Sequence, residues 1–332
     1  MSLHISVMLN EVLDLLNPQP GFTYLDGTLG LGGHSEALLN KTKGQIDLIG
    51  IDRDEKTIEI TQNKLSSWNG FKAVHGRFSE IPKLVDKNSL SKPLGGVLLD
   101  LGISSFQLNS PVYGLSFAEE LFDQPLDMRL DKWCKFSAAE ILNNWTEKQI
   151  ADLFWDYADY KLARKLAKLI VQNRPVNRIG ELVELCNLVL NKTDPRISFS
   201  RTEGQPHNKF QNKSQNKLST KLSGQQKSKL NTATLPFMAL RMIVNDELGE
   251  LEGGLQNVID WLEPDCKIVV ISFHSGEDRV VKNLFKSACL KSNDFEILTP
   301  KPLIPLEAEI KKNPRSRSAK LRALLKKKKS NK

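Results

Sequence analysis

The sequence predicts an α/β fold built on an open, mostly parallel sheet, with an all-helical domain inserted into it. Three observations lead to this prediction. Short apolar runs that end in an acidic or small polar residue recur through the first part of the chain. The first of these runs leads into a glycine-rich turn, as in the strand-loop-helix units of α/β proteins. Between residues 137 and 190, by contrast, the apolar residues recur at helical spacing.

The glycine-rich turn connects the first predicted strand to a helix. Residues 22–26 are mainly apolar or aromatic and end in Asp26, and four glycines follow before the chain enters the helix through Ser35. Glycines in such a turn let the backbone approach a ligand, and the new helix offers unpaired N–H groups to it. Their spacing differs from Gly-x-Gly-x-x-Gly, the dinucleotide fingerprint. A strand-to-helix turn that binds nothing is the alternative interpretation of this stretch alone.

Polar residues at the ends of the later strands favour a ligand site. Asp52 ends the second predicted strand, about twenty residues beyond the glycines, where an acid can accept hydrogen bonds from ribose hydroxyls. A third run over residues 71–75 leads into Gly76-Arg77-Phe78, and a fourth run ends in Asp100. In open α/β sheets, ligands bind at the carboxyl ends of the strands. The series therefore favours a cofactor that contains a nucleoside.

Composition narrows the class of protein. The chain has 332 residues, which is enough for two domains with substantial cores. Its four cysteines are far apart, form no Cys-x-x-Cys motif and are not joined by clustered histidines, so we expect reduced thiols and no metal site. No apolar run approaches the roughly 20 residues that span a bilayer, and the N-terminus has no secretory pattern. We therefore expect a cytoplasmic protein that does not bind membranes.

Positive charge is concentrated in two segments. The formal net charge is +8, but residues 311–332 carry eleven Lys and Arg and no acid, and residues 200–232 carry a net charge of +6. The rest of the chain therefore has a net charge of −9. Two basic segments on an acidic body are suited to a polyanion such as RNA. Solvated sequence that only keeps the protein soluble is the alternative interpretation of each segment.

The chain divides into five predicted regions. Residues 1–108 form the first part of the sheet domain, and residues 109–196 begin with a long loop and continue as an inserted helical domain. Residues 197–232 are rich in Lys, Gln, Asn and Ser and predict a disordered insertion. Residues 233–325 return to the sheet domain with a helix, a buried strand and a final strand pair, and residues 326–332 form a basic tail.

A series of motifs runs collinearly from about His4 to Arg322. The motifs occupy residues 26–35, 52–54, 76–79, 99–108, 125–129, 239–241, 244–248, 271–275 and 313–322. This series resembles the RsmH (MraW) family of bacterial small-subunit rRNA methyltransferases. The resemblance implies a Rossmann-like S-adenosylmethionine-dependent methyltransferase sheet with an inserted all-helical domain. It also implies methylation of N4 of a cytidine in the decoding centre of 16S ribosomal RNA, with that RNA or the small ribosomal subunit as the partner.

The resemblance also assigns residues to the cofactor. It places Gly32, Gly33 and His34 at the methionine end, Asp52 at the ribose, Phe78 and Asp100 at the adenosine side, and Gln107 in the loop that closes over the ligand. The Asp/Asn/Ser-Pro-Pro-Tyr loop of many amino-methyltransferases is replaced after the fourth strand by Asp100-Leu101-Gly102-Ile103. The group that holds the cytidine amine therefore stays open, with Asp127, Asn245 and His274 as candidate catalytic residues.

Two other functions are compatible with parts of the sequence. A nicotinamide-dependent oxidoreductase would share the strand, the glycine-rich turn and Asp52, but the dinucleotide spacing of the glycines is missing. A non-catalytic RNA-binding or ribosome-assembly protein that retains a cofactor pocket would explain the basic segments. Binding of S-adenosylhomocysteine but not NAD would exclude the first, and methyl transfer to RNA would exclude the second.

Overall fold

The computed structural model describes residues 6–131, 133–190 and 232–328, in which seven strands form one sheet. The strands are β1 Thr23–Asp26, β2 Asp47–Asp52, β3 Phe71–His75, β4 Leu94–Asp100, β5 Lys267–Ser272, β6 Phe295–Ile297 and β7 Lys320–Lys326. Their order in the sheet is β3-β2-β1-β4-β5-β7-β6. Strands β1 to β5 are parallel, whereas β7 pairs antiparallel with β5 and with β6. The predicted parallel sheet is confirmed.

Helices cover the sheet and fill the sequence between β4 and β5. The α-helices of the described residues are α1 Leu9–Leu16, α2 Gly33–Lys41, α3 Glu55–Lys64, α4 Ile81–Leu84, α5 Ser105–Asn109, α6 Ala138–Asn144, α7 Glu147–Ala158, α8 Ala163–Gln172, α9 Ile179–Leu190, α10 Thr234–Val244, α11 Glu247–Trp261, α12 Ser275–Lys291 and α13 Glu307–Lys312. Short 3-10 helices cover Phe78–Glu80, Lys87–Ser89, Glu119–Leu121 and Pro314–Ser318.

The central strands are apolar on both faces because helices cover the sheet on both sides. On one face, Val97 and Leu99 of β4 belong to a core that includes Phe285 of α12. On the other face, Leu98 of the same strand packs in a core that includes Leu16 of α1. This packing fixes the strand ends at one edge, where the polar residues predicted from the sequence emerge.

The inserted helices have a hydrophobic core of their own. Ser137 and Thr146 accept the N–H groups of the third residues of α6 and α7 at 3.2 and 3.3 Å, so both begin with capping boxes. Phe237 and Leu240 of α10, which follow the predicted insertion in sequence, are buried in the same core. The division of the chain into domains stays a prediction.

Two predicted regions are only partly described. Residues 197–231 of the predicted disordered insertion lie outside the described residues, as do residues 329–332 of the predicted basic tail. Strand β7 continues to Lys326, the first residue of that tail. Within the described ranges, no helix has both the length and the apolar character needed to cross a membrane.

Candidate active site

A cavity of about 900 Å³ opens at the carboxyl ends of the parallel strands. The loops that follow β1 to β5 all contribute to its wall, as in other ligand sites of open α/β sheets. The residues assigned to the cofactor that line this cavity are Gly33, His34, Asp52, Phe78, Asp100 and Gln107. Gly32 is not part of the wall and instead forms the N-cap of α2.

Close packing and left-handed backbone shape the glycine-rich turn. Gly30 and Gly32 have φ values of 49° and 71°. A Cβ on Gly32 would lie 2.6 Å from Cγ2 of Thr61, and the hydroxyl of Thr61 donates to the carbonyl of Gly30 at 2.7 Å. Only glycine satisfies both conditions at position 32. The turn therefore lies directly against α3 and directs the start of α2 towards the cavity.

The carboxylate of Asp52 is fixed by the turn that it faces. One oxygen accepts the N–H of Gly30 at 2.8 Å, and the other accepts the N–H of Asp54 at 3.0 Å. Each oxygen keeps a second lone pair for a ligand hydroxyl. Burial raises the pKa of Asp52 to about 6, although both backbone hydrogen bonds oppose the shift. The geometry is therefore that of a preorganised acceptor of hydrogen bonds.

Asp100 lies beside His34 at the end of β4. Oδ2 of Asp100 is 3.6 Å from Nδ1 of His34, whose Nε2 lies 2.9 Å from the carbonyl oxygen of Val7. Oδ1 of Asp100 is buried and has no hydrogen-bond partner among the described residues. Burial raises the pKa of Asp100 to about 6, although His34 opposes the shift. A buried acceptor of this kind on a cavity wall is suited to a ligand that carries N–H groups.

Phe78 and Gln107 complete the cavity from two further segments. Phe78 packs so closely on Gly254 of α11 that a Cβ there would lie 2.6 Å from its ring. The amide of Gln107 donates to Oδ2 of Asp54 at 3.1 Å, and its oxygen accepts the N–H of Ser104 at 3.0 Å. Both ends of this amide are thus used by the protein. Gln107 therefore anchors the loop after β4 to the start of α3.

Two of the candidate catalytic residues, Asp127 and His274, are not part of the cavity wall, although Glu277, the partner of His274, is. Asp127 forms a bidentate ion pair with Arg129, with oxygen–nitrogen distances of 2.7 and 2.9 Å. His274 is the N-cap of α12, and its Nδ1 accepts the N–H of Glu277 at 3.3 Å. Nε2 of His274 is buried without a hydrogen-bond partner among the described residues and lies 3.2 Å from a carboxylate oxygen of Glu277. The catalytic role of both residues stays a prediction.

The third candidate, Asn245, joins α10 to the loop that precedes α6. Its side chain is buried, its amide donates to the carbonyl of Met128 at 2.8 Å, and its oxygen accepts the N–H of Leu130 at 3.0 Å. Its own carbonyl accepts a hydrogen bond from Arg53 at 3.2 Å. Asn245 therefore holds the inserted region against the cofactor loops, and its catalytic role also stays a prediction.

An ion-pair cluster that the sequence analysis missed joins the cavity loops to the inserted region. We call Asp131, Arg53 and Arg77 the Asp131 clamp. The carboxylate of Asp131, with a side chain that is 2% exposed, accepts hydrogen bonds from Arg53 and, at 3.3 Å, from Arg77. Burial alone would raise the pKa of Asp131, but the two arginines outweigh it and hold the pKa below its usual value. The two arginines adjoin Asp52 and Phe78 in sequence, so the clamp acts on the cofactor loops.

Three side chains of the kinds that bind metals lie together near the end of β5. Glu247, His274 and Glu277 each place one ligand-type atom within 4.8 Å of the others. However, Glu247 forms a bidentate pair with Arg241 at 2.7 and 2.9 Å, and Glu277 accepts the N–H of Phe273 at 2.8 Å. The protein's own donors already use these carboxylates. The absence of a metal site stays a prediction.

Comparison with known proteins identifies the family. The model of the MraW methylase family matches residues 1–327. Relatives named ribosomal RNA small subunit methyltransferase H include one from Carboxydothermus hydrogenoformans, 36% identical over 96% of both chains, and one from Picosynechococcus, 38% identical over 96% of this chain and 95% of its own. A crystal structure of an rRNA methylase from Streptococcus thermophilus covers 98% of this chain and 99% of its own at 10% identity, but its TM-score of 0.40 supports no argument. The chain therefore belongs to the MraW methylase family of S-adenosylmethionine-dependent methyltransferases.

Proposed function

We propose that this protein transfers the methyl group of S-adenosylmethionine to N4 of a cytidine in the decoding centre of 16S ribosomal RNA. The observation that carries the proposal is the cavity at the strand ends, where the assigned cofactor residues other than Gly32 converge and include two partly buried carboxylates, Asp52 and Asp100. The shared name of the relatives supports RNA of the small ribosomal subunit as the substrate. The cytidine, its N4 atom and the decoding centre are proposed from the motif resemblance.

The residues of the cavity fit S-adenosylmethionine, whose sulfonium supplies the methyl group. Asp52 would accept the ribose hydroxyls with the lone pairs that Gly30 and Asp54 leave free. Oδ1 of Asp100 would accept an N–H of the cofactor's ammonium group, because it is buried, lacks a partner among the described residues and lies beside His34. This placement moves Asp100 from the adenosine side, where the resemblance put it, to the methionine end.

The shape of the cavity supports a nucleotide as the second ligand. Methyl transfer from a sulfonium is an in-line displacement, so the main task of the chain is to hold donor and nitrogen in line and to exclude water. The cavity wall continues beyond the cofactor residues to Ser110 and Leu130, before the inserted helices, and to residues 312–315 at the end of α13. A base taken out of its stack would therefore enter between these segments and the cofactor.

Methylation of ribosomal subunits tests the proposed function. Purified protein is incubated with labelled S-adenosylmethionine and small subunits that lack the modification, and the RNA is digested to nucleosides. We expect the label in N4-methylcytidine from the decoding centre. Label in a different nucleoside would contradict the assignment of N4. RNA binding without transfer would favour a non-catalytic RNA-binding protein, and binding of NAD but not of S-adenosylhomocysteine would favour an oxidoreductase.

Cofactor binding should weaken as the pH falls through about 6. Burial raises the pKa of Asp52 and of Asp100 to about 6, and only their ionised forms attract a cationic cofactor at full strength. At about one pH unit below that value, protonation of each carboxylate that must be ionised should reduce the affinity for the cofactor roughly tenfold. Calorimetric titration with S-adenosylmethionine at about pH 7.5 and about pH 5 measures the change. An affinity that does not depend on pH would contradict the role of both carboxylates.

The stability of the protein without cofactor provides a control for this pH dependence. The folded-state pKa of both acids, about 6, lies above the ordinary aspartate pKa of 3.8, so the folded state binds more protons between these two values. Their contribution to the unfolding free energy is therefore fully present below about pH 4 and is lost as the pH rises through 6. Thermal melting of the protein without cofactor at about pH 7.5 and about pH 5 shows whether it stays folded at the pH where binding is expected to weaken.

A further inference from the structure

The segment between β6 and β7 presents four exposed cations at one end of the sheet. We call residues 307–318 the strap, which consists of α13 and the 3-10 helix Pro314–Ser318. Its basic residues are Lys311, Lys312, Arg315 and Arg317, and all four are exposed. Residues 312–315 are also part of the cavity wall. The strap therefore carries positive charge to the mouth of the cavity.

Contacts with the rest of the protein fix the position of the strap. Glu309 accepts the backbone N–H of Met8 at 2.8 Å, which joins α13 to the segment before α1. Ser316 is fully buried, and its hydroxyl donates to the carbonyl of Asn313 at 2.8 Å. Ala319, directly after the strap, is 1% exposed and leads into β7. The cations are thus held on a packed segment beside the cavity.

Nearby acids neutralise the basic residues of β7 more than those of the strap. Among the described residues, no carboxylate forms an ion pair with Lys311, Lys312 or Arg317. In contrast, Asp278 binds Lys320 at 3.5 Å and Arg322 at 2.6 Å. Lys320 and Arg322 therefore stabilise the packing of α12 on β7, whereas Lys311, Lys312 and Arg317 of the strap keep their charge available.

The lysines that follow β7 emerge at the opposite edge of the sheet. Strand β7 is antiparallel to β5, so Lys320 pairs with Ser272 at the cavity end, whereas Leu325 pairs with Lys267 at the far end. At about 3.3 Å per residue, these two ends are roughly 16 Å apart. Lys328 lies at the far end, 2.9 Å from a carboxylate oxygen of Asp265. The described part of the basic tail is therefore directed away from the cavity.

We infer that the strap binds the phosphodiester backbone of RNA next to the nucleotide that enters the cavity. This inference rests on the proposed function and names the surface that positions the substrate. Phosphate contacts orient a nucleic acid and provide most of its non-specific affinity, and guanidinium and ammonium groups are the usual donors. The body of the chain outside the two basic segments has a net charge of −9, so it would repel RNA unless local cations lie at the point of entry.

A pair of matched double variants tests the inference. K311Q/K312Q removes two cations from the strap, and K327Q/K328Q removes two from the far end of β7. The affinity for small-subunit RNA is measured over a range of salt concentrations for both variants and for the unmodified protein, and thermal melting shows whether each variant is folded. We expect the strap variant to reduce the salt slope by about 1.4–1.8, since each lost phosphate contact accounts for roughly 0.7–0.9. The far-end variant should keep the original slope.

The outcomes distinguish this inference from the proposed function. If a folded K311Q/K312Q protein keeps the original slope, or if both variants reduce it equally, the strap is not a specific RNA surface and the inference is wrong. A third variant, R164Q/K168Q, removes two cations from the exposed basic face of α8. If this variant reduces the salt slope and the strap variant does not, the RNA lies on the inserted helices and the inference is also wrong. A protein that methylates no RNA would contradict the proposed function, whereas the salt slopes would still report whether the strap contacts RNA.

Discussion

Asp52→Asn is expected to weaken the binding of S-adenosylmethionine by at least roughly tenfold. Both oxygens of Asp52 accept backbone N–H groups, from Gly30 and from Asp54, and their other lone pairs face the cavity. In the variant, an amide NH2 group would replace one of these oxygens and would face a backbone N–H group, so that two donors would oppose each other. Only one side-chain oxygen would then remain as an acceptor for the ribose. Each hydrogen bond to a charged group contributes about 1.5–3 kcal/mol, so the loss of one bond accounts for the expected change.

Calorimetry with purified protein measures this effect, and Asp86→Asn is a matched control. Asp86 accepts the N–H of Asn88 at 3.0 Å at the start of a 3-10 helix, where asparagine makes the same contact, and it is not part of the cavity wall. The control variant should bind the cofactor like the unmodified protein. If Asp52→Asn binds equally well and remains folded, the assignment of Asp52 to the ribose is wrong.

Local sequence signals explain why much of the sheet could be predicted. Asp26, Asp52, His75 and Asp100 end the first four strands, and each ends an apolar run that can be read directly from the sequence. The carboxyl ends of parallel strands meet at one edge of a sheet, so these residues are expected to lie close together. The position of the cavity therefore followed from the strands without knowledge of the packing.

Contacts between distant segments explain what could not be predicted. The amide of Gln107 was expected in a loop over the ligand, but it is bonded to Asp54, 53 residues away in sequence. Asp131 contacts Arg53 and Arg77 across 78 and 54 residues. No periodicity or spacing rule relates such pairs, because their contact depends on how the inserted region packs against the sheet. The direction of the basic tail likewise follows from the antiparallel pairing of β7, which the sequence alone did not reveal.

Asp131→Asn is expected to lower the unfolding free energy by about 3 kcal/mol. The substitution removes the negative charge that two partly buried arginines share. Arg53 then keeps the carbonyl of Asn245 at 3.2 Å, and Arg77 keeps Glu250 at 4.0 Å. Removal of one partner from a buried ion pair typically costs about 3–5 kcal/mol, because the remaining charge stays desolvated. The arginines lie on the loops that carry Asp52 and Phe78, so we also expect weaker cofactor binding. Denaturant titration measures the stability, and calorimetry measures the binding.

Asp127→Asn separates the effect of a buried clamp from the effect of a lost charge. Asp127 lies in the same loop and is also paired with an arginine, Arg129, but this pair is more exposed, with 30% of the Asp127 side chain and 42% of the Arg129 side chain accessible to solvent. Such exposed pairs contribute about 0–1 kcal/mol, so this variant should remain close to the unmodified protein. The pKa of Asp131 lies below its usual value, so its contribution is present above about pH 4 and is lost as the pH falls through the folded-state pKa. Two results would show that the clamp does not hold the cofactor loops to the inserted region. One is an equal loss of stability in the two variants, and the other is a difference in stability that persists at pH values below the folded-state pKa of Asp131.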